Sequence, residues 1–440
     1  MSYEQHHLSF TAEAGGGEDG ECIDYETSEN TITIDCDASF SDVVQTINDA
    51  NILENLGNGE YILNANLEIA DGITFAMTST GDGLQYLKLA GENGIIVYGK
   101  ILIDGVKITS WDIAEEDVIQ QQMNGAISRG YVRFDGSEGA QILNSEFGYL
   151  GDVELGRRGF DLYGDGPSHD MVIRGSKFHH MWMAFYSKEA YNIVVDGNEY
   201  YNNIKYALDP HTGTYNMNIT NNWVHHNPIG AICSDDCYNI LIEGNVAHHN
   251  TIAGIFFSRN MQDSIARNNH VYNTTSGIIV AESPNNQIYD NIIEGATSQG
   301  IRLYNPEVPD DGFTEDNLVY DNTIIDSENA IRAIRSNNNF IQNITFSDIE
   351  SSEYRLSGNS SIVIRGQDFD NALITAVEDD SETGSWVEIV DSGTIEVVEV
   401  NGDSDDDEEE GNNYNTDNTP YRKRLSDGDS IIVNSENLFF

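Results

Sequence analysis

Asp209 and His211 stand two residues apart in the segment Tyr206-Ala-Leu-Asp-Pro-His211. In an extended strand that spacing places a carboxyl and an imidazole on one face, about 7 Å apart. The same phrase, a small residue followed by alternating side chains, recurs along the chain. With the small residue as position zero, the first and third following positions are mostly apolar (Phe160/Leu162, Leu208/Pro210, Ile255/Phe257, Ile301/Leu303) and are expected to face inward. The second and fourth then face outward. They read Asp161 and Tyr163, Tyr186 and Lys188, Asp209 and His211, Cys233 and Asp235, Phe256 and Ser258, Ile279, then Arg302 and Tyr304. A groove of Tyr, Lys, Asp and His suits an extended sugar chain, because aromatic faces pack on pyranose rings while polar groups fix hydroxyls. Asp161, Tyr163, Tyr186, Asp235, Phe256, Arg259, Arg302 and Tyr304 are the expected substrate-binding positions. Arg332 and Arg335 join Arg302 and Tyr304 as a possible distal subsite for an acidic chain, ion pairing with nearby acids being the alternative.

What must position these residues is a repeat of about 23 residues. Tyr191-Asn-Ile-Val-Val-Asp-Gly-Asn198, Tyr215-Asn-Met-Asn-Ile-Thr-Asn-Asn222 and Tyr238-Asn-Ile-Leu-Ile-Glu-Gly-Asn245 are one phrase. Its last position marks a series Asn144, Ser176, Asn198, Asn222, Asn245, Asn268, Asn291, Asn322, Asn343. Each period holds two or three short strands with Asn/Gly corners, too short for helices. One such coil cannot bury its apolar face alone, whereas coils stacked about 4.8 Å apart close a core and pair their backbones. Asn at one corner of every coil predicts a side-chain amide ladder. The fold expected is all-β, a right-handed parallel β-helix. Two long gaps predict rim loops near 151–167 and 305–315.

The expected organisation is an N-terminal segment with a capping helix over 1–60, the β-helix over 61–360, and degenerate coils or a β cap over 361–440 with an acidic loop at 403–418. Ala65–Met77, Leu84–Val97 and Lys100–Thr109 read as three further coils. Phe40, Val43, Val44 and Ile47 have helical spacing behind Ser39, predicting a helix over Phe40–Leu53. A helix there covers the open end of the solenoid, which is otherwise an aggregation edge.

The chain carries 74 acidic and 21 basic residues in 440, a formal charge of −53. That excludes a nucleic-acid binder, which needs a basic footprint. With 39% hydrophobic residues and 22 Tyr, it is not a disordered acidic polymer either. Residues 141–300 hold 17 acids and 8 bases, so the repeat centre is the least acidic part. Such acidity aids solubility in strong salt and suggests a haloarchaeal or marine source. No stretch has the length of a membrane span. Ser2–His7 is polar, unlike a leader peptide, which suggests a mature or trimmed form. The cysteines form two local pairs, Cys22/Cys36 and Cys233/Cys237, consistent with disulfides in an oxidising extracellular setting or with free thiols. A zinc site lacks two further ligands at the usual spacing. His179/His180, His225/His226 and His248/His249 recur after the marker, and stacking of corner side chains accounts for them without a metal.

The segment Tyr206–His211 resembles the Tyr-Gly-x-Asp-Pro-His motif of mannuronan C5-epimerases, right-handed β-helix enzymes that turn D-mannuronate into L-guluronate within alginate. The resemblance extends over about 140–350 and includes Ala184-Phe-Tyr-Ser-Lys-Glu189. The whole chain also resembles archaeal β-helix proteins in which the motif runs on into Thr-Gly-Thr, here Thr212-Gly-Thr214. The resemblance implies that His211 and Tyr206 exchange protons with C5, that Asp209 shapes the carboxylate site, and that Lys188 supplies positive charge there. One departure stands out. Where one branch of these enzymes has a cation, this chain has Asp235-Asp236, and Arg259 is the cation nearby. Ca²⁺ held by Asp235 and Asp236 would restore neutrality.

Two expectations follow. One is an extracellular or cell-surface enzyme acting on a polyuronate, an epimerase or a lyase, since both begin with the same proton abstraction. The other is a surface or matrix protein that binds glycans or self-assembles without catalysis.

Overall fold

The computed structural model describes residues 22–233, 235–308 and 312–365, together with the strands Ala372–Ala376, Ser385–Val390, Val397–Glu399, Tyr421–Leu425 and Ser430–Val433. The chain forms a right-handed parallel β-solenoid of about 12 turns with almost no helix. Each central turn contributes one short strand to each of three parallel faces, termed sheets, of which the first and third become continuous at Thr323–Ile334. The first sheet holds Gly159–Leu162, Met183–Lys188, Tyr206–His211, Ile229–Cys233, Ala253–Ser258, Ser276–Ala281 and Gln299–Tyr304. The second holds Tyr191–Asp196, Tyr215–Thr220 and Tyr238–Glu243, and the third Glu199–Tyr201, Trp223–His225 and Val246–His248.

Apolar side chains pointing inward from the three sheets stack in columns. Phe147, Phe178 and Tyr200 are nearly parallel at centroid spacings of 5.1 and 4.9 Å, the repeat of the backbone itself. The corners are held by three buried amide ladders. Along the first, Asn198 is linked to Asn222, Asn222 to Asn245, Asn245 to Asn269 and Asn269 to Asn291, each through the next side-chain oxygen at 2.9–3.1 Å. Asn203, Asn227 and Asn250 form the second. Ser264, Asn286, Asn317 and Asn339 form the third. Each rung satisfies a corner amide that faces no water, which is why Asn is repeated there. The ladder passes through Ser145 and Asn269, one residue beyond the expected Asn144 and Asn268. Asn144 and Asn268 instead adopt left-handed backbone at the turn before it.

Several boundaries differ from expectation. Thr31–Ile34 already pairs in parallel with Asn66–Ile69, so the solenoid begins before the helix. The helix is Phe40–Ile47, with the Ser39 N–H donating to Asp42 Oδ2 at 2.8 Å. It ends at left-handed Asn48, and Leu53 opens the strand Leu53–Gly57. Residues 66–111 make two coils rather than three, because Thr74–Thr78 and Tyr86–Ala90 complete the coil begun at Asn66. At the far end Ser361–Arg365 and Ser385–Val390 continue the parallel stack. Antiparallel Tyr421–Leu425 and Ser430–Val433 close it. The acidic loop 403–418 lies outside the described residues. Cys22 and Cys36 are disulfide-bonded, their Cα atoms 5.3 Å apart. The expected Cys233–Cys237 bond depends on the Cys233 side chain, which lies outside the described residues.

Candidate active site on the first sheet

The register of the first sheet places Asp161, Tyr186 and Asp209 in one line across three coils, with Lys188 directly opposite His211. The line breaks at the next coil. Cys233 pairs with Phe257 and Ile232 with Phe256, so position 232, not 233, continues the outward row. The extra residue of that coil lies beyond the strand, where Asp235 and Asp236 have left-handed backbone. That displacement turns Asp235 toward His211.

Two carboxyls are buried in the row. Asp209 is 1% exposed and Asp161 is fully covered, and one oxygen of each has no hydrogen-bond partner. The other Asp161 oxygen accepts the Arg158 N–H at 2.9 Å. Burial pushes Asp161 up to about 7 and Asp209 well above the usual carboxylate range. Both effects are desolvation of an acid with too few donors. A carboxylic acid kept protonated near neutrality can donate a hydrogen bond to an anion.

Cations approach from the rim. The Arg158 guanidinium lies over the Tyr186 ring at 4.0 Å, and its charge bears on Asp209, Asp161, Tyr206 and His211. Lys188 Nζ stands 5.6 Å from the Tyr163 ring. Neither cation makes an ion pair among the described residues. Both are free to meet a carboxylate.

His211 is held from both sides. Its Nε2 is 3.1 Å from Asp235 Oδ2, and its Nδ1 is 2.6 Å from the Thr212 hydroxyl. Donation of Nε2–H to Asp235 leaves the ring lone pair on Nδ1, beside Thr212. Burial lowers the His211 pKa, Asp235 opposing, so the ring is neutral at pH 7. Thr212 has φ +38°, an uncommon conformation for a β-branched residue. Asp235 in turn accepts from Arg259 at 3.4 Å, and Asp236 accepts from Asn260 at 2.6 Å. The two acidic side chains are thus engaged separately, and Arg259 already balances Asp235.

Tyr206 sits at a corner that strand parity leaves undecided. It packs outward with Tyr163 and Ile204 against a cluster of Trp182, Met183 and Tyr186. Burial raises its pKa, so it is a protonated phenol. Phe256 joins Ala253, Ile279, Ala281 and Tyr304 in a second outer cluster further along the row, where Arg302 covers Tyr304 at 4.2 Å.

Arg158, Thr212 and Trp182 escape the strand-phase reading because none lies at an outward strand position. The signal for Arg158 is an Arg157-Arg158 pair inside the longer rim loop of an acidic chain. That loop is pinned by Arg129, which is fully buried. Arg129 Nε donates to Gly151 O (2.9 Å), Nη2 to Leu150 O (2.7 Å), and Nη1 to His180 O (3.1 Å) and Ile119 O (3.3 Å).

Comparison with known proteins agrees with this architecture. The family described as right handed beta helix region matches residues 93–269, and that described as periplasmic copper-binding protein (NosD) matches residues 209–362. Mannuronan C5-epimerase of Pseudomonas aeruginosa is 25% identical over 187 residues, 40% of this chain and 34% of that protein. The enzyme of the same name from Pseudomonas syringae pv. tomato is 26% identical over 150 residues, 32% of this chain and 28% of that protein. The matched region spans about a third of these relatives' length. They are bacterial, and nothing in these relatives supports the archaeal source that acidity alone suggests. The crystal structure of the periplasmic alginate epimerase AlgG superposes with a TM-score of 0.60 at 20% identity, covering 82% of this chain and 84% of that one. That likeness is one of fold. No helix among the described residues is long and apolar enough to cross a membrane.

Proposed function

We propose that this chain is a polysaccharide-modifying enzyme that epimerises a polyuronate at C5, working outside the cytoplasm, a location supported by its likeness to a periplasmic epimerase and a periplasmic family. One observation carries the reading: the His211 imidazole shares one solenoid face with two buried carboxyls, Asp161 and Asp209, and with two cations, Arg158 and Lys188, that make no ion pair among the described residues. A proton α to a carboxylate leaves only when the carboxylate's charge is neutralised. Arg158 and Lys188 supply positive charge, and the Asp209 acid donates a hydrogen bond to the developing aci-carboxylate. His211 Nδ1 takes the C5 proton once substrate displaces the Thr212 hydroxyl, while Asp235 steadies the imidazolium that forms. The C5–H electron pair moves into the C5–C6 bond. Tyr206 then returns a proton to the opposite face of C5, which inverts it. Elimination of the 4-linked oxygen from the same intermediate gives the lyase outcome instead. In this reading Arg259 balances Asp235 while Asn260 holds Asp236, so the reaction does not require the Ca²⁺ expected at these two residues.

The test is incubation with polymannuronate in heavy water, with and without Ca²⁺, followed at C5 by NMR. Deuterium uptake with inversion is the expected result, and an unsaturated product assigns the lyase. If neither appears, and His211→Ala matches wild type, the catalytic reading fails. The Thr212 contact favours a second reading, glycan binding without turnover, because the only imidazole lone pair is already occupied. Glycan binding with no C5 exchange, or concentration-dependent filaments, would support it.

A further inference from the structure

Beyond the candidate active site the outward row of the first sheet continues in register through position 232, Phe256, Ile279, Arg302, Arg332 and Arg355. The last three place guanidinium groups directly above one another on adjacent strands, about 4.8 Å apart at the backbone. Like charges directly opposite one another on a sheet are destabilising. A chain with 74 acids and 21 bases offers partners easily, and Arg157, Arg174, Arg259 and Arg267 all take one. Arg302, Arg332 and Arg355 make no ion pair among the described residues, and this sets them apart, since a buried Nε without an acceptor is shared by the paired Arg157 and Arg267. Burial lowers the Arg302 and Arg332 pKa values. The neighbouring arginines add to this, while Tyr304 and Glu328 oppose it. Arg335 adds a fourth guanidinium 5.8 Å from the Tyr304 ring that Arg302 covers. Its Nε is committed to Asn305 O, which ties it to the adjoining turn.

A stack of like charges at such a cost is compensated when an anion lies across it. The charges are not spread evenly along the row. Between Asp209 and Arg302 it carries Phe256 and Ile279, set in the outer apolar cluster with Ala253, Ala281 and Tyr304. Ile279 is buried, so this stretch offers the partly exposed Phe256 ring as stacking surface, and no charge.

We propose that Arg302, Arg332 and Arg355 form an anion-binding track for carboxylates of an acidic glycan whose reacting residue lies at Asp209–His211, the intervening sugars resting on Phe256. Only the identity of the glycan rests on the function proposed above. The track begins four strands from Asp209, about 19 Å away at the parallel spacing. A disaccharide held at His211 cannot reach it, whereas a long chain engages both. Guanidinium groups suit this role because each can bind a carboxylate through two parallel N–H bonds.

Calorimetric titration of the full chain with polymannuronate, dimannuronate, a sulfated glycan of matched charge and a neutral mannan tests this. The variants are Arg302→Gln/Arg332→Gln/Arg355→Gln together, Arg332→Gln alone, and Arg174→Gln as a charge control on another face. The single variant preserves a readout if the triple variant does not fold. The expected result is at least about a tenfold loss of polymannuronate affinity in the triple variant and a smaller loss in the single one. The salt dependence becomes shallower, and dimannuronate binding is unchanged. Equal binding of the sulfated glycan sinks the carboxylate assignment. An unchanged long-chain affinity, equal losses for long and short chains, or the same loss in Arg174→Gln overturns the track. His211→Ala separates the two proposals: it abolishes C5 exchange if the enzyme reading holds and leaves the long-chain affinity and its arginine dependence in place.

Discussion

The first and third sheets present outer faces built on the same repeat, yet they treat polar groups in opposite ways. On the third sheet Tyr201, His225, His248 and Tyr272 stack at 5.5, 5.0 and 4.7 Å, nearly parallel. Trp223 Nε1 donates to His248 Nε2 at 2.7 Å, so His248 carries its proton on Nδ1 and donates to His249 Nδ1. His225 meets Glu199 through Nε2 and His226 through Nδ1, and His179 meets Glu146 and His180 in the same way. His179, His225 and His248 thus have both ring nitrogens in use, so stacking and hydrogen bonding account for them without a ligand. On the first sheet Asp161, Asp209 and the Arg302 stack are buried with polar atoms unmet. Repetition alone therefore does not mark a site. Unmet buried charges lined up on one face single out a candidate, because they cost stability, whereas scattered unmet atoms such as His270 Nε2 and the Tyr200 hydroxyl on the third sheet do not.

The contrast is broken most severely at His211. His211→Ala is expected to lower C5 exchange by about 10³-fold, whereas His225→Ala leaves it within about twofold. Equal effects of the two would remove the distinction between the faces. The acid limb of kcat/KM should fall below pH 6.5, because burial lowers His211 and the base must be neutral. Asp235→Asn should move that limb lower still, since Asp235 is what holds the imidazole's pKa up.

Arg129→Met tests whether the rim loop carrying Arg158 is held by one buried side chain. Removing it takes the side-chain donor from Ile119 O and His180 O, while Leu150 O keeps the Trp182 N–H and Gly151 O keeps the Gln121 amide. A loss of about 3–5 kcal/mol in urea unfolding is expected. Asp161→Asn should act in the opposite direction. Its folded pKa, near 7, lies above the unfolded value, so the folded state binds the extra proton and loses stability as pH rises from about 4 to about 7. The variant should be more stable than wild type at pH 8, by up to about 4 kcal/mol, and no more stable at pH 3.5. Trp223→Phe on the third face removes a satisfied hydrogen bond and should cost only about 1 kcal/mol at pH 8, and less at pH 3.5, where His248, lowered to about 4, is protonated and no longer accepts it. A stabilising Trp223→Phe, or a destabilising Asp161→Asn at pH 8, would show that the faces do not differ as argued.

The amide ladders were legible because a corner residue must meet the same backbone amides in every coil, so chemistry repeats with the period. The alignment of Tyr186 with Asp209 and of Lys188 with His211 followed from parity. The row slipped at Cys233, because Gly230 and Ala231 are both small and only the register shows that Gly230 takes the zero position, which puts Ile232 in line with Asp209 and Phe256. Asp235 reads as a misplaced acid in the sequence and as the partner of His211 in the structure, for the same reason. Arg302 and Tyr304 were legible as outward residues, but the register that adds Arg355 beneath Arg332 lies beyond the repeat markers.

The sequence by itself determined the solenoid, a helix behind Ser39 and the residues offered to one face. These depend on near neighbours and on contacts between like positions one period apart. Tertiary structure alone decided how deeply Asp161 and Asp209 are buried, which cations reach them, and where Tyr206 points. Each of those is set by a loop or corner that breaks the period, and a carboxyl's pKa depends on all the atoms around it. The negative charge of the chain is therefore a property of its composition, while the placement of its few unpaired cations is a property of the fold.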